Sequence, residues 1–221
     1  MVLDSNLLKI TPTMPSLKTG DILLFDEHPT CCCMNFLDSC IKCCTREPYS
    51  HTALVIVNPP WKDDNNQSIP NGTYVWESSY HGKDWPDIQN GKTQFGVQLQ
   101  PIELYSKKYP GHDSIWVRRL KATKWFKQTD KLEKINNDTK NKSYDINICD
   151  WLAALFKNRC YKRRTKSFYC SAFVSYTLSQ LDMVPNVDWT IVSPALLSSK
   201  MPNNIININT WYEDDELYTS C

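Results

Sequence analysis

Ser167-Phe168-Tyr169-Cys170-Ser171-Ala172-Phe173-Val174-Ser175-Tyr176 is the stretch on which the reading of this chain turns. Polar and aromatic residues lead into one cysteine. An amphipathic run follows, with Ala172, Phe173, Tyr176 and Leu181 at the spacing of a helix with one buried face. Cys170 then falls in the first helical turn, where unpaired N–H groups and the positive dipole end favour a thiolate over a thiol. Taken alone, a cysteine so placed is more often a small core residue. As a nucleophile it needs a base, and the base needs a group to orient it.

The upstream sequence can supply both parts. Ser50-His51-Thr52 opens a strand from Ala53 to Val57, rich in β-branched residues. A polar connection with three prolines runs from Asn58 to Asn71, Asn71-Gly72 signals a turn, and Thr73 to Glu77 forms the next strand. Paired antiparallel, the two strands hold His51 and Glu77 close. The imidazole can then take the thiol proton while the carboxylate fixes its tautomer and direction. Read singly, His51 is a hydrogen-bonded strand end and Glu77 a solvated one. His81 is the competing imidazole, in a glycine-flanked loop, and His28 and His112 read as loop residues.

Elsewhere, Ile22 to Phe25 reads as a buried strand behind the Gly20-Asp21 turn. Gly96 to Gln100 and Ser114 to Leu120 are further strands. A short helix starts at Pro101, with proline suited to the first turn, and a lysine-rich helix with a solvated face spans Thr123 to Asn141. Ser143-Tyr144-Asp145 caps a helix from Ile146 to Phe156, and Ser193 with Pro194 opens a last short one. Ile205 to Trp211 reads as an edge strand. Early strands followed by late helices indicate an α+β fold, an antiparallel sheet with packed helices. The domain division is an irregular lead-in over 1–17, one domain over 18–211, and a loose acidic tail over 212–221.

The net charge of +1 offers no global field for nucleic acid. The longest apolar run is about five residues, against the roughly 20 of a membrane span. No secretory signal is evident, so a cytoplasmic protein is expected. Six of the ten cysteines lie between Cys31 and Cys44, and reduced thiols suit that compartment. The cluster has three readings: small, partly buried cysteines, S-acylation beside an amphipathic helix, or a metal site, which the adjacent thiols fit poorly. A basic loop, Arg159 to Lys166, precedes Cys170. It is either solubilising or a contact for an anionic group such as a phospholipid head or an acidic peptide. The cluster and the loop are the two candidates for peripheral membrane contact.

The ordered set Thr19-Gly20-Asp21-Ile22-Leu23-Leu24-Phe25, Tyr49-Ser50-His51-Thr52-Ala53-Leu54-Val55, Val75-Trp76-Glu77-Ser78, Gly96-Val97 with Pro101-Ile102, and Phe168-Tyr169-Cys170-Ser171 resembles the permuted papain-fold amidases. These are the YaeF/YiiX-type group, related to NlpC-type peptidases and to lecithin retinol acyltransferase. In the unpermuted fold the cysteine helix comes first; here the order is His, Glu, Cys. Relatives of this kind occur in bacteria and in large DNA viruses, which would place a viral member in the host cytoplasm or the virion.

The resemblance implies Cys170 as nucleophile, His51 as general base and later acid, and Glu77 as the orienting carboxylate. It implies hydrolysis or acyl transfer at an amide or ester bond of a peptide or lipid, through an acyl-cysteine and without cofactor or metal. Gly20-Asp21 reads as a structural turn. The alternative is an idle member that acts as a binding or host-interaction protein.

Overall fold

The computed structural model describes residues 16–27, 39, 42–43, 47–79, 85–106, 112–145, 166–184, 187–200, 208 and 210–220. Among those residues the elements are, in order, β1 (Ile22–Glu27), β2 (His51–Val57), β3 (Thr73–Ser79), β4 (Gly96–Pro101) and the short helix α1 (Glu103–Ser106). Then come β5 (His112–Leu120), α2 (Thr129–Thr139), β6 (Ser143–Tyr144), β7 (Ser167–Phe168) and α3 (Cys170–Gln180). Two 3-10 turns, Trp189–Ile191 and Pro194–Leu197, precede β8 (Tyr212–Ser220). The eight strands form one sheet in the order β7-β6-β4-β3-β2-β1-β5-β8. The fold is α+β.

Both faces of this sheet are covered, which is why β1 and β2 read as unbroken apolar runs instead of alternating. One face carries Leu24, Leu54, Trp76 and Leu99 and packs against Phe173 and Tyr176 of α3. Trp76 meets the Phe173 ring edge-on at 5.0 Å. The other face carries Leu23, Phe25, Ala53, Val55, Val75 and Val117 and is closed by Ile102 and Tyr105. Each large apolar side chain so buried stabilises the fold by about 1.5–3 kcal/mol before entropy is counted.

Most expected elements are present, with five corrections. Two are local: Pro101 ends β4 and the short helix begins only at Glu103, and His112 opens β5 instead of lying in a loop. The sheet is mixed: β6 and β7 pair in parallel, Ser143 opposite Ser167 and Tyr144 opposite Phe168. Ser143 and Tyr144 are therefore strand residues. The lysine-rich helix is shorter than expected, because Thr123 to Lys127 form turns before Thr129. The acidic tail is not loose. Its residues form β8, which pairs with β5 from Ser114↔Ser220 to Leu120↔Tyr212. The reason is Arg118, fully buried on β5, whose Nε lies 3.3 Å from the Asp215 carboxylate. A buried guanidinium requires a paired anion, and β8 carries it in.

Two glycines are needed for backbone reasons. Gly20 has φ +95° and a Cβ there would strike Phe126 and Leu120. Gly96 has φ +146°, and a Cβ would lie 2.0 Å from the Lys142 carbonyl oxygen, where β4 meets β6. Gly20-Asp21 is a structural turn: Asp21 accepts hydrogen bonds from the backbone N–H of Lys18 and of Leu120. The Asn58 to Asn71 connection is anchored by buried Trp61 and Ile69, and Asn58 and Gly72 close it with reciprocal bonds.

The expected helix over Ile146 to Phe156, nearly all of the Arg159 to Lys166 loop, and most of Ile205 to Trp211 lie outside the described residues. So does most of the Cys31 to Cys44 segment, within which Ser39, Lys42 and Cys43 have helical backbone.

Candidate active site

Strands β2 and β3 pair antiparallel with Leu54 opposite Trp76 and Val55 opposite Val75. Continuing that register sets Ala53 opposite Glu77. His51 stands two residues further along on the same face, a diagonal neighbour within reach of a long side chain. The imidazole Nε2 donates to Glu77 Oε2 at 2.6 Å. Both side chains are buried, with 3% and 0% exposure. The expected juxtaposition of His51 and Glu77 is therefore present.

The carboxylate has further partners that sequence reasoning missed. Its Oε1 accepts from the Gln98 amide at 3.1 Å and from the Tyr105 hydroxyl at 2.7 Å. Gln98 is the direct cross-strand partner of Glu77 on β4. Tyr105 comes from α1, which folds back over the sheet after Pro101. A fully buried carboxylate is tolerated only when donors surround it. Nothing in the sequence marks Gln98; only its burial, at 1% exposure on a sheet face, shows that it demands a polar partner.

Aromatic rings wall the imidazole. Phe25 lies 5.1 Å from His51, ring centre to ring centre, and 5.7 Å from Tyr105. Trp85 packs edge-on against Tyr105 at 5.6 Å. These rings keep water from competing for the buried bonds and so strengthen them.

Cys170 is the first residue of α3, as expected, and is 4% exposed. Its thiol donates to the carbonyl of Ser50, Sγ to oxygen 3.9 Å, one residue ahead of His51. The helix packs on the Leu54 and Trp76 face while its first residue reaches the end of β2 where His51 begins.

Ser78 anchors this approach: its hydroxyl donates to the Phe168 carbonyl at 2.6 Å, two residues before the cysteine. Strand β3 thus serves both parts, with Glu77 on one face and Ser78 on the other. Ser171, next to Cys170, donates to Val192 carbonyl at 2.6 Å and ties the helix start to the following turn.

His112 lies on β5, and His28 and His81 fall outside the described residues. Among the described residues, no group of three or more His, Cys, Asp or Glu side chains is placed to hold a metal ion. No helix among them is long and apolar enough to cross a membrane.

No protein-family model and no curated protein matches the chain. Among solved structures it is similar to the crystal structure of the metalloprotein YiiX from Escherichia coli O157:H7, DUF1105. The identity is 17% and the TM-score 0.43, over 74% of this chain and 66% of the length of that one.

Proposed function

We propose that the chain is a thiol-dependent hydrolase or acyltransferase of permuted papain type, acting on an amide or ester bond through an acyl-cysteine. One observation carries the reading: a buried imidazole–carboxylate pair at 2.6 Å stands at the strand end whose preceding carbonyl receives the Cys170 thiol. A base with an orienting carboxylate, beside a cysteine on a helix N-terminus, is the arrangement acyl transfer needs.

With Nε2 donating to Glu77, Nδ1 is the ring nitrogen that takes the thiol proton. The thiol turns from Ser50 toward it as the sulfur attacks the substrate carbonyl. The carbonyl π pair moves onto oxygen, and N–H groups at the α3 N-terminus stabilise that oxyanion. Collapse breaks the bond to the leaving amine or alcohol, which carries away the proton held by His51. Water, or an acceptor hydroxyl or amine, then attacks the thioester. His51 takes its proton and returns it to the departing sulfur.

The test is a thiol-reactive acyl probe applied to the purified chain, with the modified cysteines mapped by mass spectrometry. Cys170 should be acylated faster than the other nine cysteines, and His51→Ala should abolish that preference. Equal acylation of all cysteines, or a preference that survives His51→Ala, overturns the reading.

A further inference from the structure

Tyr105 and Gln98 converge on the oxygen of Glu77 that the imidazole does not use. The Tyr105 ring is clamped between Phe25 and Trp85, so its hydroxyl has a fixed aim. Gln98 is buried, directly opposite Glu77 on the neighbouring strand. Neither side chain belongs to a base–nucleophile pair, yet both direct a polar group at one carboxylate oxygen.

We infer that Tyr105, seconded by Gln98, is a positioning residue that sets the proton affinity of the His51–Glu77 pair. The role of the pair in acyl transfer rests on the function proposed above; the effect of Tyr105 on its proton affinity does not. A hydrogen bond donated to a carboxylate stabilises its charge and lowers the pair's appetite for a proton. The benefit is greatest when the imidazole is neutral and the pair carries a net negative charge. Removing the hydroxyl therefore raises the pH at which the pair takes up its proton. The same bond holds Oε2 facing Nε2, so its loss also loosens the ring. A hydrogen bond to a charged group is strong enough to move that midpoint by about one pH unit.

The experiment is an NMR titration of the histidine ring protons in the full chain. With four histidines, His51 is assigned by its absence in His51→Ala. Tyr105→Phe keeps the ring and its packing while deleting the donor. It should raise the His51 midpoint by about one pH unit with little change in melting temperature. Gln98→Met should shift it the same way by less. In parallel, the acid limb of Cys170 acylation should move upward with the His51 midpoint.

A Tyr105→Phe protein with an unmoved His51 midpoint overturns the inference, whatever its melting temperature. Unselective acylation of Cys170 together with a shifted His51 midpoint overturns the proposed function and leaves the positioning role of Tyr105 standing.

Discussion

The Cys170 sulfur rests 3.9 Å from the Ser50 carbonyl oxygen, one residue ahead of the imidazole that is bonded to Glu77. The thiol and the imidazole are thus brought to one strand end by different faces of the sheet. The approach of the thiol depends on how α3 is seated, and the imidazole–carboxylate pair depends on β2 and β3. Changes can separate the two.

Glu77→Gln tests the carboxylate. The substitution keeps the shape and removes the charge that holds the imidazole tautomer. Cys170 acylation should fall about 10²- to 10⁴-fold, by analogy with loss of the third member of a triad. Stability should fall by about 1–3 kcal/mol, because three donors that share a carboxylate then meet an amide with a single acceptor oxygen. Probe kinetics and thermal melts, run together, check both halves.

Ser78→Ala tests the seating of the Cys170 thiol. It leaves the Phe168 carbonyl without the 2.6 Å bond described above, at a cost of about 1–3 kcal/mol. Acylation of Cys170 should slow while the His51 titration midpoint stays in place. A urea denaturation series and the probe assay measure these separately.

Asp215→Ala removes a carboxylate from the Arg118 guanidinium, whose side chain is 0% exposed and keeps its bonds to the Glu213 and Leu197 carbonyls. It should cost about 3–5 kcal/mol, and Arg118→Met combined with Asp215→Leu should restore most of that. Asp215 also accepts from Tyr49 and Ser198, so the double variant should recover less than a pair free of other ties. Equilibrium unfolding of the two singles and the double closes the cycle.

Asp87 gives the fold a pH dependence of unusual sign. Burial pushes its carboxyl from 3.8 up to about 6, against hydrogen bonds from the Gln89 and Leu99 backbone that pull the other way. Between those values the folded chain holds the proton more tightly than the unfolded chain. Stability from this group is therefore full below about pH 4 and is lost as pH rises through about 6. The loss is at most roughly 3 kcal/mol. Asp87→Asn should flatten that slope, read from denaturation midpoints at pH 4.5 and 7.

The hairpin bearing His51 and Glu77 was legible in the sequence because β-branched runs and an Asn-Gly turn mark it locally. The start of α3 was legible because one cysteine breaks a polar–aromatic lead-in. Gln98 and Tyr105 were not, because their meaning lies in what they face and not in their neighbours along the chain. Strand β8 was missed because Glu213, Asp214, Asp215 and Glu216 look like solvated charge. Only the burial of Arg118 turns one of them into a structural requirement. The parallel β6–β7 pair consists of two residues on each side, too short for any periodicity to show.

The order of synthesis acquires a meaning from these contacts. Glu77 emerges 26 residues after His51, so the imidazole and its carboxylate can meet within a young hairpin. The sulfur must cross 120 residues to reach Ser50, and Asp215 must cross 166 to reach Tyr49. A chain still being made can therefore close its imidazole–carboxylate pair before the sulfur has been added, and the anion that locks the far edge arrives later still, after the thiol.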